Sequence, residues 1–243
     1  MLGIKLEKLI KGLDFLSIKY DHNLINKFIL YYEFLSKENK KYNLTSITDF
    51  DDFISLHVLD SLSLLLPIQK YSINYQNILD IGSGNGFPGV PFKMCIPKAN
   101  MILVDSIKKK VNFMHQLIQL LNLNRIEIVN NRVENLGNNK DYRKTQNLIL
   151  ARAVAKLSTL IEIALPLLKV GGYCIFHKSN LSQSEFESMN KTLQYFDAQL
   201  IEIYKVSNEL VPRNHNLIII KKKSEIDFEY PRNNNKPFRK PLF

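Results

Sequence analysis

The chain has 243 residues, 45% of them hydrophobic, and a formal net charge of +10. That length suits one globular domain with an extension. No apolar run approaches the roughly 20 residues of a membrane span, and the start, Met1-Leu2-Gly3-Ile4-Lys5, has no signal-peptide layout.

Cys95 and Cys174 are the only cysteines and form neither a CxxC pair nor a disulfide framework, which predicts buried thiols in a reducing cytoplasm. His22, His57, His115, His177 and His215 are scattered without metal-type spacing, so no metal is expected. The charge is unevenly placed. Residues 1–66 carry a net −1 and the remainder +11. A polyanion is the natural partner for the basic part, although a lysine-rich compositional bias gives the same excess.

Leu24, Ile25, Phe28, Ile29, Tyr32 and Leu35 recur at helical spacing and predict an amphipathic helix to about Lys40. Asn43-Leu44-Thr45-Ser46 breaks it. Thr48 or Asp49 then caps a second helix from Phe50 to about Leu66, which Pro67 stops. Residues 1–68 thus read as a helical extension. Strands are predicted near 77–81, 101–105, 126–130, 147–151 and 172–177, with helices at about 89–96, 107–122 and 156–168 between them. Lys169-Val170-Gly171-Gly172 reads as a helix stop and turn. A helix at about 182–196 precedes strands near 199–206 and 216–222, paired as an antiparallel hairpin. Residues 69–223 therefore form an α/β domain with a doubly wound, mostly parallel seven-stranded sheet. Residues 224–243 read as a basic arm, and from Lys221 onward the net charge is +4. Pro231, Pro237 and Pro241 exclude a regular helix there. Interleaved Tyr230, Phe238 and Phe243 suit stacking on nucleic-acid bases, and a disordered solubilising tail is the alternative.

The chemistry concentrates at Asn77-Ile78-Leu79-Asp80-Ile81-Gly82-Ser83-Gly84-Asn85-Gly86-Phe87-Pro88-Gly89. A strand ends in an acid, a glycine turn follows, and a helix begins. Glycines permit positive φ and close approach of a ligand, and the helix start offers free N–H groups. Asp105 ends the next strand, where a carboxylate accepts from ribose hydroxyls. Asp80 suits a ligand with an amino group, as in S-adenosylmethionine, and would repel the pyrophosphate of NAD. Both cofactors use the ribose device; the residues favour S-adenosylmethionine.

Further motifs accompany this turn: Tyr42-Asn43-Leu44-Thr45-Ser46, His57-Val58-Leu59-Asp60-Ser61, Gly86-Phe87-Pro88-Gly89-Val90-Pro91, Leu103-Val104-Asp105-Ser106 with Lys109 and Lys110, Arg132-Val133-Glu134, Ala151-Arg152-Ala153 and Tyr230-Pro231-Arg232. In that order the chain resembles the bacterial small-subunit ribosomal RNA methyltransferase G family, also called glucose-inhibited division protein B. The resemblance implies a class I S-adenosylmethionine methyltransferase (Rossmann-like) fold. It implies N7 methylation of one guanine in 16S rRNA and cofactor contacts at Gly82, Phe87, Val133, Glu134 and Arg152. A monomer is expected because no extra apolar helix face stands out, and the cysteine usage predicts a cytoplasmic protein. Two departures stand out: Lys178-Ser179 where the family has Lys-Gly, and Asn235 near the glycine usual between the C-terminal prolines.

Guanine N7 needs no general base, and the sequence offers none. An Asn/Asp-Pro-Pro-Tyr signature is absent after strand four, and neither cysteine sits in a Pro-Cys or Thr-Cys context. Catalysis then rests on alignment and electrostatics. Asp80 is expected to orient the methionine amino group, the backbone at Gly82 and Gly84 to line the cofactor, and Asp105 to accept from the ribose. Val133 and Glu134 are expected to border the adenine. Arg152 contacts cofactor or RNA, or is a surface salt-bridge partner. Lys109 and Lys110 reach phosphates or are a solvated face, and His57 and Asp60 tie the extension to the sheet. The rival readings are methylation of another RNA position or a small molecule, a non-catalytic ribosome-assembly factor that binds RNA, and an NAD oxidoreductase.

Overall fold

A computed structural model describes residues 2–207, 211–212 and 216–243. His215 lies outside the described residues. Seven strands form one sheet: β1 (Asn77–Ile81), β2 (Asn100–Asp105), β3 (Ile126–Asn130), β4 (Gln146–Arg152), β5 (Leu168–Lys178), β6 (Ala198–Lys205) and β7 (Asn216–Lys222). Their order is β3-β2-β1-β4-β5-β7-β6. All neighbours are parallel except β7, which is antiparallel to both β5 and β6.

The alternation of strand side chains places apolar groups on both faces. Ile78, Leu148, Leu150, Ile175 and Ile219 join a core shared with Phe28, Phe53, Phe92 and Phe113. Leu79, Ile81, Ile149, Phe176, Ile218 and Ile220 join a second core with Leu160 and Met189. The first face carries α1 (Leu2–Phe15), α2 (His22–Tyr42), α6 (Gly89–Cys95) and α7 (Lys108–Leu120). The second carries α8 (Val133–Gly137), α9 (Leu157–Ala164) and α10 (Gln183–Tyr195). The helical extension therefore shares its core with the sheet.

Local chemistry sets the helix ends. Asp21 caps α2 by accepting from Leu24 N at 2.8 Å, and Asn43 ends it with φ 50°. Asp49 caps α3 (Phe50–Phe53) by accepting from Asp51 N and Asp52 N. The second predicted helix is then interrupted. A π-helical turn covers Ile54–Leu59, α4 is the single turn Asp60–Leu62, and α5 (Leu65–Lys70) follows a break at Ser63 and Leu64. Pro67 stops nothing. It lies in the first turn of α5, where its missing N–H has no intrahelical partner to lose.

Three further expectations change. The helix predicted over 156–168 ends at Ala164, a 3-10 turn spans Leu165–Leu167, and β5 already begins at Leu168. The Gly171-Gly172 signal is a bulge inside that strand, not a turn before it. The register against β4 jumps from Gln146↔Leu168 to Leu148↔Tyr173, and Gly171 takes φ +81°. Short α8 lies between β3 and β4, where no helix is expected from periodicity.

The C-terminal arm is docked, not a free tail. Arg232 grips the buried Glu162 of α9 through Nε at 2.7 Å and Nη2 at 2.6 Å. Arg143 donates to the carbonyls of Gly137, Ile226, Asp227 and Tyr230. Tyr230 is buried against Phe196 and Tyr195, and Phe243 packs on Tyr195. Tyr230 thus holds the arm in place, while Phe243 keeps about half of its surface exposed. Pro237 does not exclude helix either: it occupies the first turn of α11 (Lys236–Arg239). Asn235 precedes that turn with φ +61°, which asparagine tolerates and which explains the glycine usual there.

Arg232→Ala leaves Glu162 buried without its cation. Loss of one partner of a buried pair costs about 3 kcal/mol or more. The expected outcome is a lowered urea midpoint and faster proteolysis within 233–243, measured by chemical denaturation and limited digestion.

Candidate cofactor site

The carboxyl ends of β1, β2 and β4 open on one cleft of about 270 Å³. Gly82, Asp105, Val133 and Glu134 line it, together with Ser106, Ile107, Lys110, Arg132, Val154 and Phe238. Of the glycine turn, Gly82 lines it. Gly82, Gly84 and Gly86 take φ of +66°, +59° and +95°, a region that side chains resist. A Cβ on Gly82 would stand 2.7 Å from Val154 Cγ2.

Two aspartates organise the turn. Asp105 accepts from Gly84 N at 2.9 Å and from Ile107 N at 2.8 Å. Each oxygen keeps a further lone pair for a ligand. Asp80 is fully buried below the turn and accepts from Gly89 N at 3.0 Å through Oδ2. Gly89 must be glycine for this contact: a Cβ there would lie 2.4 Å from Leu103 Cδ2 and 2.8 Å from Asp80 Oδ2. Burial pushes the Asp80 carboxyl up to about 7, with the Asp105 charge adding to it, while the Ser83 side chain, Gly89 N–H and Arg152 oppose.

Asp80, Gly84, Phe87 and Arg152 do not line this cleft. Phe87 is stacked between Tyr31 and His57, at centroid distances of 5.1 Å and 4.2 Å. Arg152 is not a surface partner. Its Nη1 meets the buried Asp60 at 2.6 Å, and its Nη2 donates to Leu56 O at 2.9 Å and lies 3.2 Å from His57 Nδ1. Thr45 Oγ1 stands 3.2 Å from His57 Nε2, so both ring nitrogens are engaged. Asn85 reaches back to the extension, donating to Leu44 O at 2.6 Å and accepting from Tyr31 Oη at 2.5 Å. His57 and Asp60 therefore join the extension to the glycine turn and β4. Lys110 lines the cleft, and Lys109 is exposed beside it.

The donor set fits a cofactor with an amino group, a ribose and a flat ring. Asp80 Oδ1 and Glu134 Oε1 are buried without a hydrogen bond, although Arg132 Nη1 stands 3.8 Å from Glu134 Oε1. Such acceptors call for N–H or O–H donors, from water or from a ligand. Ile107, Val133, Val154 and Phe238 supply apolar walls. Among the described residues no group of three or more His, Cys, Asp or Glu is placed to hold a metal ion. No helix among them is long and apolar enough to cross a membrane.

Sequence reasoning misses Phe238, Val154 and Ile107 as lining residues. They come from an arm and two loops, and no local pattern marks them.

The strand order and this site define a class I S-adenosylmethionine methyltransferase fold. Two solved structures share it. The ribosomal protein L11 methylase of Lactobacillus delbrueckii subsp. bulgaricus is 17% identical, with a TM-score of 0.52, covering 68% of this chain and 78% of that one. A SAM-dependent O-methyltransferase of Thermotoga maritima is 13% identical, with a TM-score of 0.51, covering 79% and 72%. The model of the family described as rRNA small subunit methyltransferase G matches residues 24–218. Ribosomal RNA small subunit methyltransferase G of Lachnoclostridium phytofermentans is 36% identical over 234 residues, 96% of each chain. That of Acetivibrio thermocellus is 36% identical over 240 residues, 98% of each chain. The chain belongs to the rRNA small subunit methyltransferase G family.

The raised Asp80 carboxyl has a sign that can be measured. A folded pKa above the unfolded value near 4 adds stability that is complete below about pH 4 and lost as pH rises through about 7. Asp80→Asn removes this dependence. The ligand-free variant is expected to lose less thermal midpoint than the parent between pH 5 and 8, measured by differential scanning calorimetry.

Proposed function

We propose that this protein transfers a methyl group from S-adenosylmethionine to N7 of one guanine in the 16S rRNA of the small ribosomal subunit. What carries the reading is the near-full-length match to small-subunit rRNA methyltransferases, set on a cleft with acceptors suited to that cofactor. When bound, the cofactor supplies an electrophilic methyl carbon on a sulfonium centre.

This chain's residues then bind and align. Asp80 Oδ1 orients the methionine amino group, directly or through water, and the backbone of Gly82 and Gly84 lines that end. Asp105 accepts from ribose hydroxyls with its remaining lone pairs. Val133 and Glu134 border the adenine. Phe87 and Arg152 stand behind the glycine turn, toward the methyl-transfer end, where Arg152 already acts on the Asp80 charge. N7 of neutral guanine holds an exposed lone pair, so no base is required. His57 is committed to Thr45 and Arg152, in keeping with that. The alignment of N7 with the methyl carbon is the main source of rate.

Exposed Lys108, Lys109, Lys156, Lys236, Arg239 and Lys240 supply cations for phosphates. In this reading the enzyme works in the cytoplasm as a monomer, without a metal.

Methyl-labelled S-adenosylmethionine is incubated with the protein and small subunits from cells lacking the gene. Label at one guanine of 16S rRNA, mapped by borohydride–aniline cleavage, is the expected outcome. Cofactor binding without label at N7 moves the assignment to another RNA position or to a binding role. Glu134→Gln is expected to weaken cofactor binding at least tenfold by calorimetry, and full affinity in that variant removes the adenine-border role.

A further inference from the structure

The C-terminal arm reaches the cofactor cleft, although nothing in its composition distinguishes it from an RNA-binding tail. Phe238 is the one aromatic side chain among the described residues that line the cleft. It lines the cleft together with Val154 and with Val133 and Glu134, the residues expected to border the adenine.

Several bonds fix its position. Thr159 of α9 is buried and donates to Pro237 O at 2.9 Å, directly before Phe238. Arg232 spans the arm, holding Glu162 and donating from Nη2 to Lys240 O at 2.9 Å. The arm also bonds to the segment that carries Val133 and Glu134. Arg132 Nη1 donates to Asn235 Oδ1 at 2.9 Å. Asn138 Nδ2 donates to Asn233 Oδ1 at 2.7 Å and to Pro231 O at 3.0 Å. Pro231 packs so closely on α8 that a Cβ on Gly137 would stand 2.6 Å from its ring. The adenine-side residues and the arm are thus one unit.

We infer that the arm is a wall of the cofactor site and that Phe238 contacts the adenine ring. This rests on the S-adenosylmethionine reading above. A half-buried aromatic ring beside a buried carboxylate acceptor matches a flat, apolar ring with an N–H edge. The outward side of the same turn presents Lys236, Arg239 and Lys240. One short helix therefore serves the cofactor on one side and phosphates on the other.

The chain has no tryptophan, so Phe238→Trp places a single fluorophore at the cleft. Titration with S-adenosylmethionine is expected to change its emission, saturating at the dissociation constant found by calorimetry. Phe238→Ala is expected to raise the dissociation constants of S-adenosylmethionine and S-adenosylhomocysteine about tenfold and to raise KM for the cofactor with kcat little changed. Phe238→Tyr is expected to restore affinity. The thermal midpoint of ligand-free Phe238→Ala, staying near that of the parent, separates a lost contact from a damaged fold. Parent-like affinity in Phe238→Ala, or unchanged tryptophan emission at calorimetric saturation, overturns the inference alone. A parent protein that binds no S-adenosylmethionine overturns the cofactor reading and the inference together.

Discussion

The guanidinium of Arg152 holds the helical extension to the end of β4. It is shared between the Asp60 carboxylate, the Leu56 carbonyl and the His57 ring, and Asp60 is 2% exposed. His177 of β5 reaches the Asp60 carbonyl from the next strand, at 3.1 Å. A buried pair of this kind adds little net stability over an apolar substitute, because both ions lose their water. Its effect is geometric: removing one partner leaves the other buried and uncompensated, so alternative placements of the extension are heavily penalised. From this point the contacts run outward. His57 stacks on Phe87, Phe87 on Tyr31, and Tyr31 and Leu44 hold Asn85 in the glycine turn. The extension thus braces the turn from behind, and the cleft inherits its shape from that bracing.

The cleft itself is kept in a costly state. The buried Asp80 carboxyl, with Oδ1 lacking a hydrogen bond, and a left-handed Ala153 after Arg152 raise the energy of the folded chain. Those features lie where a charged, hydrogen-bonding ligand is expected, and a ligand that satisfies them binds partly by relieving them. Stability given up at such positions is a common trade in enzymes. The cores on both faces of the sheet offset it, with Ile78, Leu150, Phe176 and Ile219 fully enclosed.

The arm shows how one composition serves two ends. Lys236, Arg239 and Lys240 are exposed, while Tyr230, Pro231, Arg232 and Pro237 anchor the arm to α8, α9 and α10. Arg143, buried among four carbonyls, closes the segment that leads into it. A basic stretch with interleaved aromatics has the same appearance whether the rings meet bases or the protein's own helices.

The strands, the glycine turn and its two aspartates were legible from local order, because a period of two and a run of alternate glycines report directly on backbone geometry. So were the caps at Asp49 and Asn43. The break after Asp60, the bulge at Gly171 and short α8 were not, since each depends on what packs against it. Pro67 and Pro237 looked like helix stops, yet both sit in first turns, where only the neighbouring chain sets the boundary. Asp80, Gly82 and Asp105 could be named in advance because they end or follow strands at fixed spacing, and Glu134 only through the family resemblance. That Arg152 faces Asp60, that Phe87 lies in an aromatic stack away from the cleft, and that Phe238 lines it were decided by tertiary structure alone. These contacts join residues up to about a hundred positions apart, and side chains so distant meet only once burial of both sheet faces has fixed the topology.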